Sequence, residues 1–207
     1  MNYNSQSGQD FFVLKCLNFK RDGTFVEIGS NHPINGNNTY ILEKEHNWKG
    51  IMVEYTNDFT ELYKEHRPNS SHLIQDATLI NFYDEFKKIN MPTYIDYLQI
   101  DLEVDNKSTI LTLENLDKHV MDNYKFAVVT FEHDIYRGDF FSTREKSRSI
   151  FDRRGYIRVF SDVMHDGNPY EDWYVHTDLV DMDYINKIKI VDSIEYKEII
   201  KILEDIS

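Results

Sequence analysis

Five apolar runs in this chain each end in a carboxylate, at Glu27, Glu54, Asp76, Asp101 and Glu132. One acid at such a place is only where a buried strand meets solvent. Five at the same end of successive strands would line one crevice. Carboxylates accept hydrogen bonds, so such a crevice suits donors: the hydroxyls of a ribose, the amino group of a base, a cation, or the proton of a reacting hydroxyl. Asp101, Glu132 and His133 come from adjacent runs and supply the oxygen and nitrogen ligands that Mg²⁺ or Mn²⁺ accepts. Without a metal, Asp101 or His133 can serve as the base. Glu103 is a further catalytic candidate, and Asp134 beside them a candidate substrate contact. The acids flanking His133 favour its charged form or a ligand role, although a lone histidine at a strand end is usually structural.

A second polar group is Tyr170-Glu171-Asp172-Trp173-Tyr174-Val175-His176. Aromatic faces beside carboxylates make a saccharide surface, which nominates Asp172, Trp173 and His176 as substrate-binding residues; Trp173 can equally be core. Arg137, Arg144 and Arg148 can recognise an anionic group on the acceptor or pair with the local acids.

The elements that must position these residues follow from hydrophobic periodicity. Phe11, Leu14 and Leu17 share one face of a helix that ends near Gly23, and the first strand starts at Thr24. Residues 36 to 47 read as a helix and 49 to 54 as the second strand. Thr56 or Asn57 can cap a helix carrying Phe59, Leu62, Tyr63 and His66 on one face. A short third strand spans His72 to Asp76, a helix carries Phe82, Phe86 and Ile89, and the fourth strand runs from Tyr94 to Asp101. Ile110, Leu113 and Leu116 mark the next helix, and Phe126 to Phe131 the fifth strand. Ser142 and Glu145 read as a capping box before a helix closed by Gly155. Tyr156 to Val163 and Trp173 to Val180 read as an antiparallel edge pair, and Tyr196, Ile199, Ile200, Leu203 and Ile206 as one face of a last helix. The fold class is therefore α/β, Rossmann-like: a seven-stranded, mostly parallel sheet with an antiparallel edge hairpin and helices on both faces, in one domain over 1–207.

The turn Glu27-Ile28-Gly29-Ser30-Asn31-His32-Pro33 has Asn31 and Ile34 where a dinucleotide fingerprint has its second and third glycines. That disfavours a pyrophosphate on the turn, while Glu54 stands where such folds hold a ribose. S-adenosylmethionine is the commonest ligand with a ribose and no phosphate.

Thr24 to Asn31 followed by Gly50-Ile51-Met52-Val53-Glu54 resembles the cofactor half of class I methyltransferases. Ile95 to Glu103 is similar to the central motif of the FkbM-type family, whose members are mostly sugar or polyketide O-methyltransferases. Ser5-Gln6-Ser7-Gly8-Gln9-Asp10, Asp76-Ala77 and Gly155-Tyr156 extend the resemblance over nearly the whole chain; Val104 departs from it, where members usually have glycine. The resemblance implies that Glu27, Gly29 and Asn31, with Ser30, line the methionine end of S-adenosylmethionine. It places Glu54, with Tyr55, at the ribose and Asp76 with Ala77 at the adenine, and puts Asp101 in the cofactor set. Asp76 can equally be a helix cap. Some sugar O-methyltransferases with these motifs place Mg²⁺ at a comparable acidic site.

The chain of 207 residues has 13 Phe, 14 Tyr and 2 Trp, enough for a packed interior, and a net charge of -13 that repels a phosphate backbone. A nucleic-acid substrate is not expected. A single cysteine, no secretion signal and no long apolar run point to a cytoplasmic protein without membrane contact. The expectation is an S-adenosylmethionine-dependent O-methyltransferase acting on a sugar hydroxyl, its acceptor a carbohydrate or glycosylated small molecule. A nicotinamide-dependent oxidoreductase of sugars and a non-catalytic cofactor-binding module are the alternatives.

Overall fold

The computed structural model describes residues 3–206. In chain order the elements are α1 (Gln9–Cys16), β1 (Thr24–Ile28), α2 (Tyr40–His46), β2 (Lys49–Glu54), α3 (Thr60–His66), β3 (Ser71–Ile74), α4 (Phe82–Lys88) and β4 (Tyr94–Ile100). They continue as α5 (Ser108–His119), β5 (Lys125–Glu132), α6 (Phe141–Arg153), β6 (Tyr156–His165), β7 (Asn168–His176), α7 (Met182–Ile188), β8 (Ile190–Glu195) and α8 (Tyr196–Asp205). One sheet runs in the order β3-β2-β1-β4-β5-β7-β6-β8. Only β7 opposes its neighbours: β1 to β5 pair in parallel, β7 is antiparallel to β5 and β6, and β8 is parallel to β6.

Successive strand residues feed two separate cores, which is why the strands read as continuous apolar runs. Phe25, Tyr97 and Val128 pack on one face with Phe12, Trp48 and Leu203. Their neighbours Val26, Leu98 and Val129 pack on the other with Phe82, Leu113 and Phe151. α8 lies against α1, where Ile200 sits so close to Gly8 that a Cβ there would come within 2.2 Å of it, and Lys15 Nζ donates to the Ile206 carbonyl at 2.7 Å. Among the described residues no helix is long and apolar enough to cross a membrane.

Several expectations change. The sheet has eight strands, because Ile190–Glu195 adds an outer strand, so the β6–β7 pair is not the edge. Asp166 and Gly167, both at positive φ (51° and 82°), form the two-residue turn that sets His165 opposite Asn168, so β7 begins at Asn168 rather than Trp173; it ends at His176 rather than Val180. The helix expected from residue 36 begins at Tyr40, since Asn37, Asn38 and Thr39 bind Glu27 instead. Neither Thr56 nor Asn57 caps α3 through its side chain; Thr56 N–H donates to Glu54. The Ser142–Glu145 capping box does not form, because α6 starts at Phe141 and Glu145 pairs with Arg144.

Candidate functional site

The parallel strands end at a cavity of about 550 Å³ whose lining includes Gly29, Asn31, Glu54, Tyr55, Asp76, Ala77, Asp101, Glu103 and Glu132. A smaller one of about 240 Å³, lined by Glu27, Gly29, Ser30, Asn31 and Asp101 among others, adjoins it. Gly29, Asn31 and Asp101 border both, so the two are lobes of one crevice, and all nine expected cofactor residues fall on it.

The tight approach of the strand ends explains Gly29. It has φ of +85°, and a Cβ would lie 1.6 Å from the Asp101 carbonyl oxygen. Its N–H and that of Ser30 donate to the Val53 carbonyl, holding the turn over β2. Asn31, at φ of 45°, gives its N–H to Glu54 Oε2 at 2.8 Å. Glu54 Oε1 accepts from Tyr55 and Thr56 N–H at 2.8 and 3.3 Å, so of about four acceptor positions one remains for a ribose hydroxyl. Asp76 does cap the short 3-10 turn Ala77–Leu79, taking Thr78 N–H and hydroxyl, and still lines the cavity. Tyr55 is 72% exposed at its mouth.

Glu27 is fully enclosed and braces the loop. It accepts from Asn37 Nδ2, Asn38 N–H and Thr39 Oγ1 at 3.1, 3.1 and 2.8 Å. Burial raises its pKa, opposed by Arg67. Arg67, equally buried, binds Glu43, Asn37, Thr39 and the Pro33 carbonyl, and so fixes residues 33–39 from beneath. These loop anchors were missed in the sequence; the run of polar residues from Asn35 to Thr39 inside an expected helix was their signal.

Asp101 and Glu132 lie together and titrate as a pair. Burial, then the Asp101 charge, drives the Glu132 pKa far up, and burial also raises Asp101, so the pair retains a proton between them. The larger lobe carries Glu54, Asp58, Asp76, Asp101, Glu103 and Glu132 against one cation, Arg137, already bound to Asp134 and Asp105 at 2.8 and 3.0 Å. Asp134, 3% exposed, is thus committed to Arg137.

The expected convergence of Asp101, Glu132 and His133 does not occur. Consecutive strand residues point to opposite faces, so Glu132 turns to the crevice and His133 to the α6 side. There His133 Nε2 lies 3.4 Å from Asp162 Oδ1 and 3.7 Å from Asp172 Oδ1. Among the described residues these three form the one group spaced to hold a metal. Arg148, however, binds Asp172 at 2.7 and 2.9 Å and Asp162 at 2.9 Å, and Arg144 binds Asp162 at 3.1 Å, which neutralises both acids. Burial opposes charge on His133, yet the two acids outweigh it and raise its pKa. Burial likewise opposes the charge of Asp172, yet His133 and Arg148 hold its pKa well below the usual range.

The expected saccharide surface is interior. Trp173 is fully buried against Phe12 and Phe160, its N–H donating to Glu171 at 2.5 Å; Asp172 and His176 are buried too. Burial pushes the Glu171 carboxyl up to about 8. Besides Tyr55, an exposed aromatic ring near the acids is Tyr136, which feels the charges of Asp134 and Arg137.

Solved structures share this fold. A TehB-like SAM-dependent methyltransferase from Corynebacterium glutamicum aligns with TM-score 0.52 and 12% identity over 81% of this chain and 86% of its own. A proposed rRNA methylase from Clostridium thermocellum aligns with TM-score 0.54 and 14% identity over 85% and 99%. A proposed DNA modification methyltransferase from an Escherichia coli prophage aligns with TM-score 0.55 and 12% identity over 84% and 53%. The chain has the class I methyltransferase fold. No protein-family model and no curated sequence matches it, so the FkbM-type resemblance rests on its motifs alone. Relative to the seven strands expected of this class I methyltransferase fold, β8 is an addition beyond β6.

Proposed function

We propose that this protein is an S-adenosylmethionine-dependent methyltransferase that acts on a hydroxyl oxygen of a carbohydrate or glycosylated small molecule. The observation that carries the reading is the single crevice, with Glu54 and Asp76 at one lobe, Glu27 and Ser30 at the other, and Gly29, Asn31 and Asp101 between them. Its charge agrees. Six acidic side chains, two of which share a proton, around one neutralised arginine favour a sulfonium cation and repel the pyrophosphate of a nicotinamide cofactor.

When bound, the cofactor supplies an electrophilic methyl group. The chain's part is to hold the ribose at Glu54, the adenine amino group at Asp76, and the acceptor hydroxyl against Asp101, which takes its proton. Tyr136 offers the exposed ring on which a sugar can stack, in place of the buried Trp173. The oxygen donors of Asp101 and Glu132, in contact and sharing a proton, fit a divalent cation such as Mg²⁺ or Mn²⁺; such an ion would take the place of that proton and acidify the acceptor hydroxyl. His133 is not among its ligands. The FkbM-like motifs and the charge of -13 support a small, non-nucleic-acid acceptor in the cytoplasm.

Calorimetric titration with S-adenosylhomocysteine and NAD, then transfer of labelled methyl groups to a glycan panel with and without EDTA, tests the reading. Binding of the former and label on sugar oxygens are expected. Preference for NAD would overturn it, and tight cofactor binding without transfer to any acceptor would leave a binding module.

A further inference from the structure

If Glu54 takes the ribose and Asp76 the adenine, as the proposed function requires, the amino-acid end of the ligand falls in the smaller lobe, and its recognition there rests on that assignment. An α-amino acid brings one ammonium and one carboxylate, yet no lysine or arginine lines this lobe. Arg67 lies beneath it, its guanidinium spent on Glu43, Asn37, Thr39 and Pro33. Nor is Glu27 free, since both its oxygens hold the loop.

Of the side-chain amides on the lobe, Asn37 is spent on Glu27 and Arg67, Asn31 and Asn35 are exposed, and two others stand out. Asn38 is only 7% exposed, lines the lobe, and has a buried Oδ1 without a hydrogen-bond partner. Such a group is costly unless something satisfies it. Its backbone N–H is separately fixed to Glu27, so the side chain has no bracing duty. Gln6 is the second, exposed on the same lobe and set apart from Asn31 and Asn35 by coming from a different segment of the chain. The segment around it is clamped: Asn4 donates to the Ile34 and Asn37 carbonyls, Ser5 bridges to Gly36, and the buried Asp10 carboxylate accepts from Asn4 and Ser5 N–H at 2.7 and 3.1 Å. Gln6 is thereby presented to the lobe from across the Ile34–Asn37 turn.

We infer that the side-chain amides of Asn38 and Gln6 bind the amino-acid end of the adenosyl ligand. A primary amide has an acceptor for the ammonium and a donor for the carboxylate, and Asn38 can turn its terminal group to offer either. The zwitterion is thus read by neutral groups, without the ion pair that a lysine or arginine would supply.

Isothermal titration of the full chain with S-adenosylhomocysteine and with 5′-methylthioadenosine, which lacks the amino acid, isolates this contact. Asn38→Ala and Gln6→Ala should each weaken S-adenosylhomocysteine binding by about ten-fold and leave 5′-methylthioadenosine unchanged. Gln6 is a surface residue, so its variant stays folded if Asn38→Ala does not. Variants that bind S-adenosylhomocysteine like the wild type, or lose both nucleosides alike, would overturn the inference while leaving the cofactor reading intact. A wild type that binds neither nucleoside would remove both.

Discussion

Two acid groups, one at the ends of β4 and β5 and one within β6 and β7, face opposite sides of the sheet and differ in one respect. On the α6 side Asp162 and Asp172 are matched by Arg144, Arg148 and His133, and little of the group reaches solvent. On the crevice side Asp101 and Glu132 meet only each other and further acids. Matched charges hold a fold together, whereas unmatched ones are tolerated where a ligand will compensate them. On the proposed reading, function belongs to the second group and stability to the first.

Arg148→Met attacks the matched group and carries the largest effect. It leaves buried carboxylates without their main partner and should cost about 3–5 kcal/mol in urea unfolding. Asp101→Asn attacks the other. It should lower methyl transfer at least ~100-fold, since general-base removal typically costs that much, without lowering the unfolding midpoint. Loss of stability there would blur the distinction.

The sheet was legible because the continuous apolar runs report strands covered on both faces, and the terminal acids Glu27, Glu54, Asp76, Asp101 and Glu132 do reach one crevice. Residues 133 and 134 were misplaced, because proximity in sequence is not proximity in space: Glu132 and His133 turn to opposite sides of the sheet. Trp173 misled similarly, since an aromatic beside acids looks the same in a core that hydrogen-bonds its indole as on a sugar-binding surface. The Asp166-Gly167 turn was visible in the sequence and would have placed β7 correctly.

Acidity separates the groups further. Glu171, raised to about 8 by burial, keeps a proton that the unfolded chain, near 4.5, releases. The unfolded state then binds fewer protons, so stability falls as pH rises from the ordinary glutamate value through about 8. Asp172 acts oppositely: its contribution is present above 3.8 and is lost as pH falls through its lower folded value. Unfolding midpoints measured across this range should decline toward alkaline pH in the wild type and flatten in Glu171→Gln.

A smaller effect sharpens the metal question. Mn²⁺ at 100 times its dissociation constant should stabilise the wild type by about 2.7 kcal/mol. Glu132→Gln should abolish the shift and His133→Gln retain it; the reverse would transfer the ion to the α6 side. Smallest of all, Tyr55→Ala at the exposed mouth should weaken S-adenosylhomocysteine binding by only a few-fold, about 0.5–1 kcal/mol, in calorimetry.

The contact of Ile200 with Gly8 ties the timing of synthesis to the site. A nascent chain that has completed β5 already possesses Glu27, Glu54, Asp76, Asp101 and Glu132 and the clamps of Asn4 and Ser5 on residues 34 to 37, whereas the Gly8 end of that segment is backed by Ile200 only once α8 has emerged. The last helix made thus completes the packing behind one wall of the crevice.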